Sequence, residues 1–350
     1  MEIDVKPNSG IALVRAEYTF PYLELLRSEG APVDRELRRA RLPSLIEEMP
    51  DAYVSTDLIF RFLEQITQRE GIDNIGFKAG WQLTFDDLGP DLRDALRQAP
   101  TLQTAIETFS RLISMEDSEY RCSLAGSGKK RRICIQQYIP AGADTRIAEW
   151  QNIKAVVELV RQYQQPDWLP DSIGLISPFA PTAAEQAELG NIEVCTGQSN
   201  TWVEIPATLL SRTRSSDSDA CSRLQKKSAS CTCVSNLSRF EDDLTSRLKS
   251  ALFPYLGSGY PGIELAADIA GISVRNLQRQ LDRNHTSYTA LLENLRFEHA
   301  MHLLQHTDLK ILDIALSLGY SDASNFARTV RRISGFSPRE LRQSNPFETH

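Results

Sequence analysis

Hydrophobic positions near the carboxy end fall into a helical period. Ile311, Ile314, Ala315 and Leu318 stand at i, i+3, i+4 and i+7, which gathers them on one helix face. Gly319 follows as the residue best able to turn the chain sharply. Ser321 or Asp322 can then cap a second helix by offering a side-chain oxygen to its first N–H groups. In that helix Phe326, Val330 and Ile333 lie at i, i+4 and i+7 and are expected to pack back on the first. The outward positions are Ser324, Asn325, Arg328, Thr329, Arg331 and Arg332, a face of hydroxyl, amide and guanidinium groups. Such a face on a short two-helix unit is what reading a DNA major groove demands. An ordinary helical hairpin with a solvated face fits the same stretch, and these residues alone leave both readings open.

The unit occurs twice. Ala267-Asp268-Ile269-Ala270-Gly271-Ile272-Ser273 parallels Ala315-Leu316-Ser317-Leu318-Gly319-Tyr320-Ser321, with an alanine four residues before the glycine and a serine two after it. The first copy continues as VRNLQRQL, with Leu277 and Leu281 inward and Arg275, Asn276, Gln278 and Arg279 outward. Between the copies, the run from Tyr288 to Gln305 is a long helical pattern carrying Leu291, Leu292, Leu295, Ala300, Leu303 and Leu304. Two helix-turn-helix units on one connecting helix can present both reading helices to one side of a duplex.

The segment from about Tyr260 to Arg342 resembles the DNA-binding domain of AraC/XylS-type transcription regulators. The resemblance rests on ISVRNLQRQL, on LLQHTDLKILDIALSLGYSDASNFARTVRRISGFSPRELR, and on the order of these parts. It implies base-reading positions at Arg275, Gln278 and Arg279 in the first unit and at Ser324, Asn325 and Arg328 in the second, with Asn276 and Thr329 as further candidates on the same faces. Arg279 and Arg328 suit guanine through bidentate contacts, and Gln278 and Asn325 suit adenine. Helix starts at Ser273 and Ser321, together with Arg331 and Arg332, are the expected phosphate contacts. Two positions depart from the family's habit: His285 stands where a glycine is usual after the first reading helix, and Ala270 where leucine is preferred. The first unit is therefore expected to be less rigid or less deeply packed than is usual.

Upstream, residues from about Tyr18 to Ile205 read as a mixed α/β region. Helical patterns cover residues 20–30, 55–70, 87–100 and 101–115, with Ser55 and Thr101 as candidate caps and Gly30 and Gly71 as candidate stops. Tyr120 to Leu124 and Arg132 to Gln136 alternate around Gly126-Ser127-Gly128, a hairpin signal. A long helix is expected from Thr145 to Gln164, striped by Ile147, Trp150, Ile153, Val156, Val157 and Val160, and two more strands at 172–179 and 201–206. This order, with FPYLELLRSEGAPVD, DLGPDLRDAL and NTWVEIPATLL, resembles the arabinose-binding-like amino-terminal domain of the AraC-type branch that includes ornithine-utilisation regulators. That resemblance implies effector sensing without identifying an effector. Ser211 to Ser238 is dense in serine and reads as a linker, after which Phe240 to Leu256 has the amphipathic pattern of a helix.

The expected fold class is an α+β amino-terminal sensing domain followed by an all-α DNA-binding domain with two helix-turn-helix units joined by a long helix. The expected division is 1–210 for sensing and dimerisation, 211–238 for the linker and 239–350 for DNA binding.

Charge counts against DNA binding rather than for it. The chain of 350 residues carries net charge −7, which argues against a general nucleic-acid binder. Residues 236–350 hold 13 basic and 13 acidic side chains, so affinity must come from placement of Arg275, Arg279, Arg328, Arg331, Arg332, Arg339 and Arg342 and must depend on salt. The 41% hydrophobic and 24% charged composition is that of a soluble globular protein. No leader-like start and no membrane-spanning run is read, and six cysteines without a disulfide framework fit a reducing, cytoplasmic setting.

Other chemistry is weaker. Cys221, Cys231 and Cys233 have thiolates suited to a soft metal but sit in the expected linker. His299, His302 and His306 share one face of the connecting helix, which reads as a plain polar face toward solvent or phosphate. Lys129 to Arg132 form a basic run that reads as a solvated turn, with an anionic effector as the rival. Tyr138, Trp150, Phe179 and Trp202 are candidates for lining an effector pocket, with core packing as the default. No phosphate-binding loop, nucleophile elbow or zinc-protease helix is present, so no catalytic residue, metal or cofactor is assigned.

The expected function is a sequence-specific DNA-binding transcription regulator, an activator by the habit of the family, controlled by a small-molecule effector or by dimerisation. The partners so implied are operator double-stranded DNA, an effector, RNA polymerase and a second copy of the chain, with no membrane. Two other classes are weighed: an enzyme domain with a DNA-binding tail, and a helical protein-interaction module.

Overall fold

The computed structural model describes residues 10–214 and 243–343. Most of the expected linker, including Cys221, Cys231 and Cys233, lies outside the described residues. These divide into two compact units, one of residues 12–214 and one of residues 243–343 with 10 and 11.

The first unit is α+β. A two-stranded ribbon pairs β1 (Leu13–Arg15) with β2 (Tyr53–Ser55), Val14 opposite Val54. The helices of this part of the chain are α1 (Phe20–Ser28), α2 (Val33–Arg39), α3 (Thr56–Glu70), α4 (Ile75–Gly80), α5 (Pro90–Arg97) and α6 (Leu102–Leu112). A five-stranded sheet runs in the order β3 (Arg121–Ala125), β4 (Lys130–Gln136), β7 (Thr201–Pro206), β5 (Ser172–Gly174) and β6 (Glu193–Cys195). Its pairs are antiparallel except β5 with β6, and α8 (Ala183–Leu189) supplies that crossover. The hairpin register sets Leu124 opposite Ile133. Helix α7 (Arg146–Arg161) is buried nearly all round; Trp150, Ile153, Val156, Val157 and Val160 of its expected stripe lie in one core with Ile133, Ile135, Val203 and Ile205 of the sheet, and Ile147 is buried as well.

Glycine makes one of these contacts possible. A Cβ at Gly76 would overlap the carbonyl oxygen of Arg146, and one at Gly80 would lie 2.6 Å from the amide nitrogen of Gln151. Helix α4 therefore rests directly on the backbone of α7, and Phe77 meets the Trp150 ring edge-on at 5.0 Å between centroids.

Several expected boundaries move. The strand read at 172–179 stops at Gly174, because the N–H groups of Ile176 and Ser177 turn to donate to the buried carboxylate of Glu149. The helix read at 87–100 begins only at Pro90, since Leu88 before it is held extended at ψ 146°. Helix α6 gives way to a short 3-10 turn at Ile113–Met115. Thr101 caps α6 through its hydroxyl, whereas Ser55 stands at the N-cap of α3 but makes no side-chain cap bond to that helix.

The second unit is all-α: α9 (Leu244–Leu252), α10 (Ile263–Ile269), α11 (Val274–Arg283), α12 (Tyr288–His306), α13 (Ile311–Ser317), α14 (Ala323–Ser334) and α15 (Pro338–Gln343). The helix read from Phe240 to Leu256 becomes α9 followed by a 3-10 turn at Phe253–Ser258, which carries Pro254; residues 240–242 lie outside the described residues. Leu277, Leu281, Leu292, Leu295, Ile314, Ala315, Phe326 and Val330 form its core. Leu303 and Ile333 are only half-buried. No helix among the described residues is long and apolar enough to cross a membrane.

Candidate nucleic-acid interface and ligand cavity

Each helix-turn-helix unit is closed by backbone bonds that its glycine permits. Gly271 and Gly319 take φ of +62° and +74°. The next N–H then reaches back over the turn, Ile272 to the carbonyl of Ala267 and Tyr320 to that of Ala315. The alanine read four residues before each glycine is thus the acceptor of the closing bond, with its small side chain buried.

Helix α11 starts at Ser273, whose hydroxyl accepts from the N–H of Asn276. Arg275, Gln278 and Arg279 are exposed on its outer face, while Asn276 is half-buried and its amide oxygen accepts a 2.8 Å bond from the Arg279 guanidinium. The end of α11 is unusual. His285 adopts φ +54°, and the N–H of Thr286 returns to the carbonyl of Leu281. The position does require the left-handed backbone that glycine serves. Ala270 is buried, as the packing of the turn needs.

Helix α14 is capped by Asp322, not by Ser321. The Asp322 carboxylate accepts from the N–H of Asn325 at 2.7 Å, and that bond together with the Ser321 hydroxyl holds its pKa below the usual carboxylate range. The reason is reach: Ser321 lies one residue too early, so the N-terminal N–H it was expected to leave for a phosphate is taken by a carboxylate. Ser324, Asn325, Arg328 and Arg331 are exposed. Thr329 is half-buried and hydrogen-bonds the Tyr320 hydroxyl. Arg332 is exposed and pairs with Glu293 of α12 at 3.0 Å. Arg342 donates to the Leu309 carbonyl at 2.5 Å.

Arg296, on α12, ties the turn of the second helix-turn-helix copy to Tyr260, just ahead of α10, and carried no role in the sequence reading. Its guanidinium lies 4.8 Å from the Tyr260 ring and 5.0 Å from the Tyr320 ring, and it donates to the Gly319 carbonyl. The usable signal was a charge beside Leu292 and Leu295 on the inward stripe.

The three histidines do not form one solvated face. The His299 ring stacks on Phe253 at 3.9 Å, and burial pushes its pKa down to about 4, while His306 is exposed. Among the described residues no group of three or more metal-ligating side chains gathers.

In the first unit a cavity of about 560 Å³ opens between α3, α4, the start of α7 and the turn at residues 177–179. Trp150 and Phe179 of the expected aromatic residues line it; Tyr138 instead donates to Asp57 at 3.2 Å, and Trp202 carries the Arg132 guanidinium at 3.9 Å. The basic run folds back on its own sheet, with Lys130 2.5 Å from Glu204. Buried Glu149 fixes one wall of the cavity: it accepts from the Ile176 and Ser177 N–H groups and from the hydroxyls of Thr145 and Thr201. Glu64 fixes another by accepting from the Asp144 N–H at 2.9 Å.

Comparison with known proteins covers both units. The family model described as the arabinose-binding domain of AraC transcription regulator matches residues 30–213, and one described as a helix-turn-helix domain matches residues 266–344. An ornithine utilization regulator of Pseudomonas aeruginosa is 24% identical over 337 residues, 95% of this chain and 97% of that protein. The HTH-type transcriptional activator RhaS of an Enterobacter species is 44% identical over 82 residues, 23% of this chain and 29% of that protein. The crystal structure of the transcriptional regulator CdpR from P. aeruginosa aligns over 89% of this chain and 96% of that one, at 18% identity and a TM-score of 0.39.

Proposed function

The chain belongs to the AraC family of transcription regulators, and from that premise we propose that it is a sequence-specific activator whose two exposed helix faces read adjacent segments of one operator. The observation that carries this reading is the repetition itself. Two Schellman-closed units share α12, and each turns amide and guanidinium groups outward on its second helix. Arg279 and Arg328 make the principal bidentate contacts to guanine, with Gln278 and Asn325 on adenine. Arg275, Asn276, Ser324 and Thr329 border those contacts, and Asn276 steers Arg279 by accepting its hydrogen bond. Phosphates are held at the Ser273 start of α11 and by Arg331 and Arg332; Ser321 joins them through its hydroxyl rather than as a helix cap.

Residues 1–210 form the sensing domain, 211–238 the linker and 239–350 the DNA-binding domain. The sensing domain takes a small-molecule effector or dimerises, and activation engages RNA polymerase in the cytoplasm. RhaS, similar over the DNA-binding segment, is by its name an activator.

Selection of random duplexes on the full chain, across salt, tests the reading. The expected result is an enriched motif about two helical turns long, lost in Arg279→Ala and Arg328→Ala. Absence of any enrichment at every salt concentration would move the polar faces to a protein partner.

A further inference from the structure

We propose that the cavity of the first unit binds a small organic cation, an amine with a short hydrocarbon body; the inference rests on the reading of this unit as an effector domain. The cavity, about 560 Å³, is within the range of small-molecule sites and far larger than a bare ion fills. Its ionisable lining is Glu64, Asp73, Asp144, Glu185 and Arg146, four carboxylates against one guanidinium, with no lysine or histidine. The one positive group is already engaged. Arg146 bonds both carboxylate oxygens of Asp144, at 2.7 and 3.0 Å, and lies 5.1 Å from the Phe179 ring. Three negative charges are left over among the lining side chains, in a concave site where low-dielectric walls strengthen their field.

The rest of the lining fits a hydrocarbon body. Ile75, Phe77, Ile147 and Trp150 line the cavity and are themselves almost fully buried, so they present fixed apolar surface. Phe179, 62% exposed, adds an aromatic ring to the lining. The carboxylates are pre-positioned by backbone donors: Glu64 by the Asp144 N–H, Glu185 by the Thr182 N–H. A hydrogen bond from a backbone N–H orients a carboxylate without cancelling its charge, which leaves it able to accept from an ammonium group. An anion or a dicarboxylate would meet the same three charges as repulsion.

Calorimetric titration of the full chain tests this with four probes: 1,4-diaminobutane, butylamine, L-arabinose and succinate. The expected result is binding of at least one amine and of neither other probe. Asp73→Asn, a change on an exposed side chain that leaves the core untouched, should weaken the amine by about tenfold, and Glu64→Gln by at least as much. Heat denaturation of each variant separates lost binding from lost folding. Binding of the pentose or of succinate in place of the amines, no binding of either amine, or equal affinity in wild type and Asp73→Asn would each overturn the proposal. Duplex selection on the same preparations keeps the two readings apart: an enriched motif without amine binding rejects the cavity alone, and amine binding without an enriched motif rejects the DNA reading alone.

Discussion

The two helix-turn-helix units are copies in sequence but not in constraint. Gly271 and Gly319 take the same left-handed backbone and permit the same closing bond. Around Gly271 there is space for a side chain, with nothing within 4 Å of where a Cβ would stand. Around Gly319 there is none: a Cβ would press on the Leu256 carbonyl, lie 2.9 Å from the Arg296 guanidinium and 3.1 Å from the Gly259 carbonyl. The second unit also ends α14 on a left-handed glycine, Gly335, whereas the first ends α11 on His285 in the same region of φ. One motif is thus held by backbone preference alone, the other by backbone preference and packing together.

Alanine substitution should separate these two demands, and gives the largest expected effect. At both glycines a left-handed backbone costs alanine about 1–2 kcal/mol. Only at Gly319 is there overpacking as well, about 1–3 kcal/mol more. Gly319→Ala should therefore lose about 2–5 kcal/mol in chemical denaturation of the all-α unit of residues 243–343, and Gly271→Ala clearly less. Equal losses would show that the crowding does not matter.

Arg296 should come next. Its removal deletes two ring contacts and leaves the Gly319 carbonyl without that donor, together about 2–4 kcal/mol. If Arg296 clasps the units, Arg296→Ala should weaken DNA binding on both halves of the operator, although it faces neither. A loss confined to one half would assign the clasp to that unit only.

The reach of sequence reading follows the same divide. Both units were legible because their information is local: periods of three and four, a glycine, a cap. The α7 stripe and the β3–β4 hairpin were legible for the same reason. The three-residue strands β1 and β2 were not, since their pairing joins Leu13 to Ser55 across 42 residues and no local pattern marks it. Nor was the end of β5, decided by the Glu149 carboxylate reaching over from α7. The cavity was hidden more thoroughly, for its walls come from residues 64–77, 142–150 and 177–185, and each carboxylate in its own segment looks like ordinary surface. The cap of α14 was legible only as a pair: serine and aspartate were both acceptable, and the start of the helix at Ala323 chooses Asp322.

A smaller effect belongs to the reading faces. Arg328→Ala should cost about 1–3 kcal/mol on the preferred site and relax discrimination at the base it touches. Arg279→Ala should cost less if its tie to Asn276 has to be broken before it can reach a base. Measuring both on the same duplex compares the units directly. A uniform loss on all sequences, from either variant, would turn that arginine into a phosphate contact.

The smallest effect is the most diagnostic of why the copies differ. His285 holds a left-handed backbone at φ +54° while exposed, so its ring adds little packing to offset the strain. Histidine visits this region more readily than a branched residue, but glycine does so at no steric cost. His285→Gly should stabilise the all-α unit of residues 243–343 by about 0.5–1 kcal/mol, the strain relieved less the extra freedom glycine has when unfolded. The closing bond from the Thr286 N–H to the Leu281 carbonyl should survive unchanged, and with it the direction of α12. If the variant is instead less stable, the imidazole contributes something that its exposure hides. If it is more stable but binds DNA less well, the strain at the end of α11 is itself part of how the first reading helix is held for the groove.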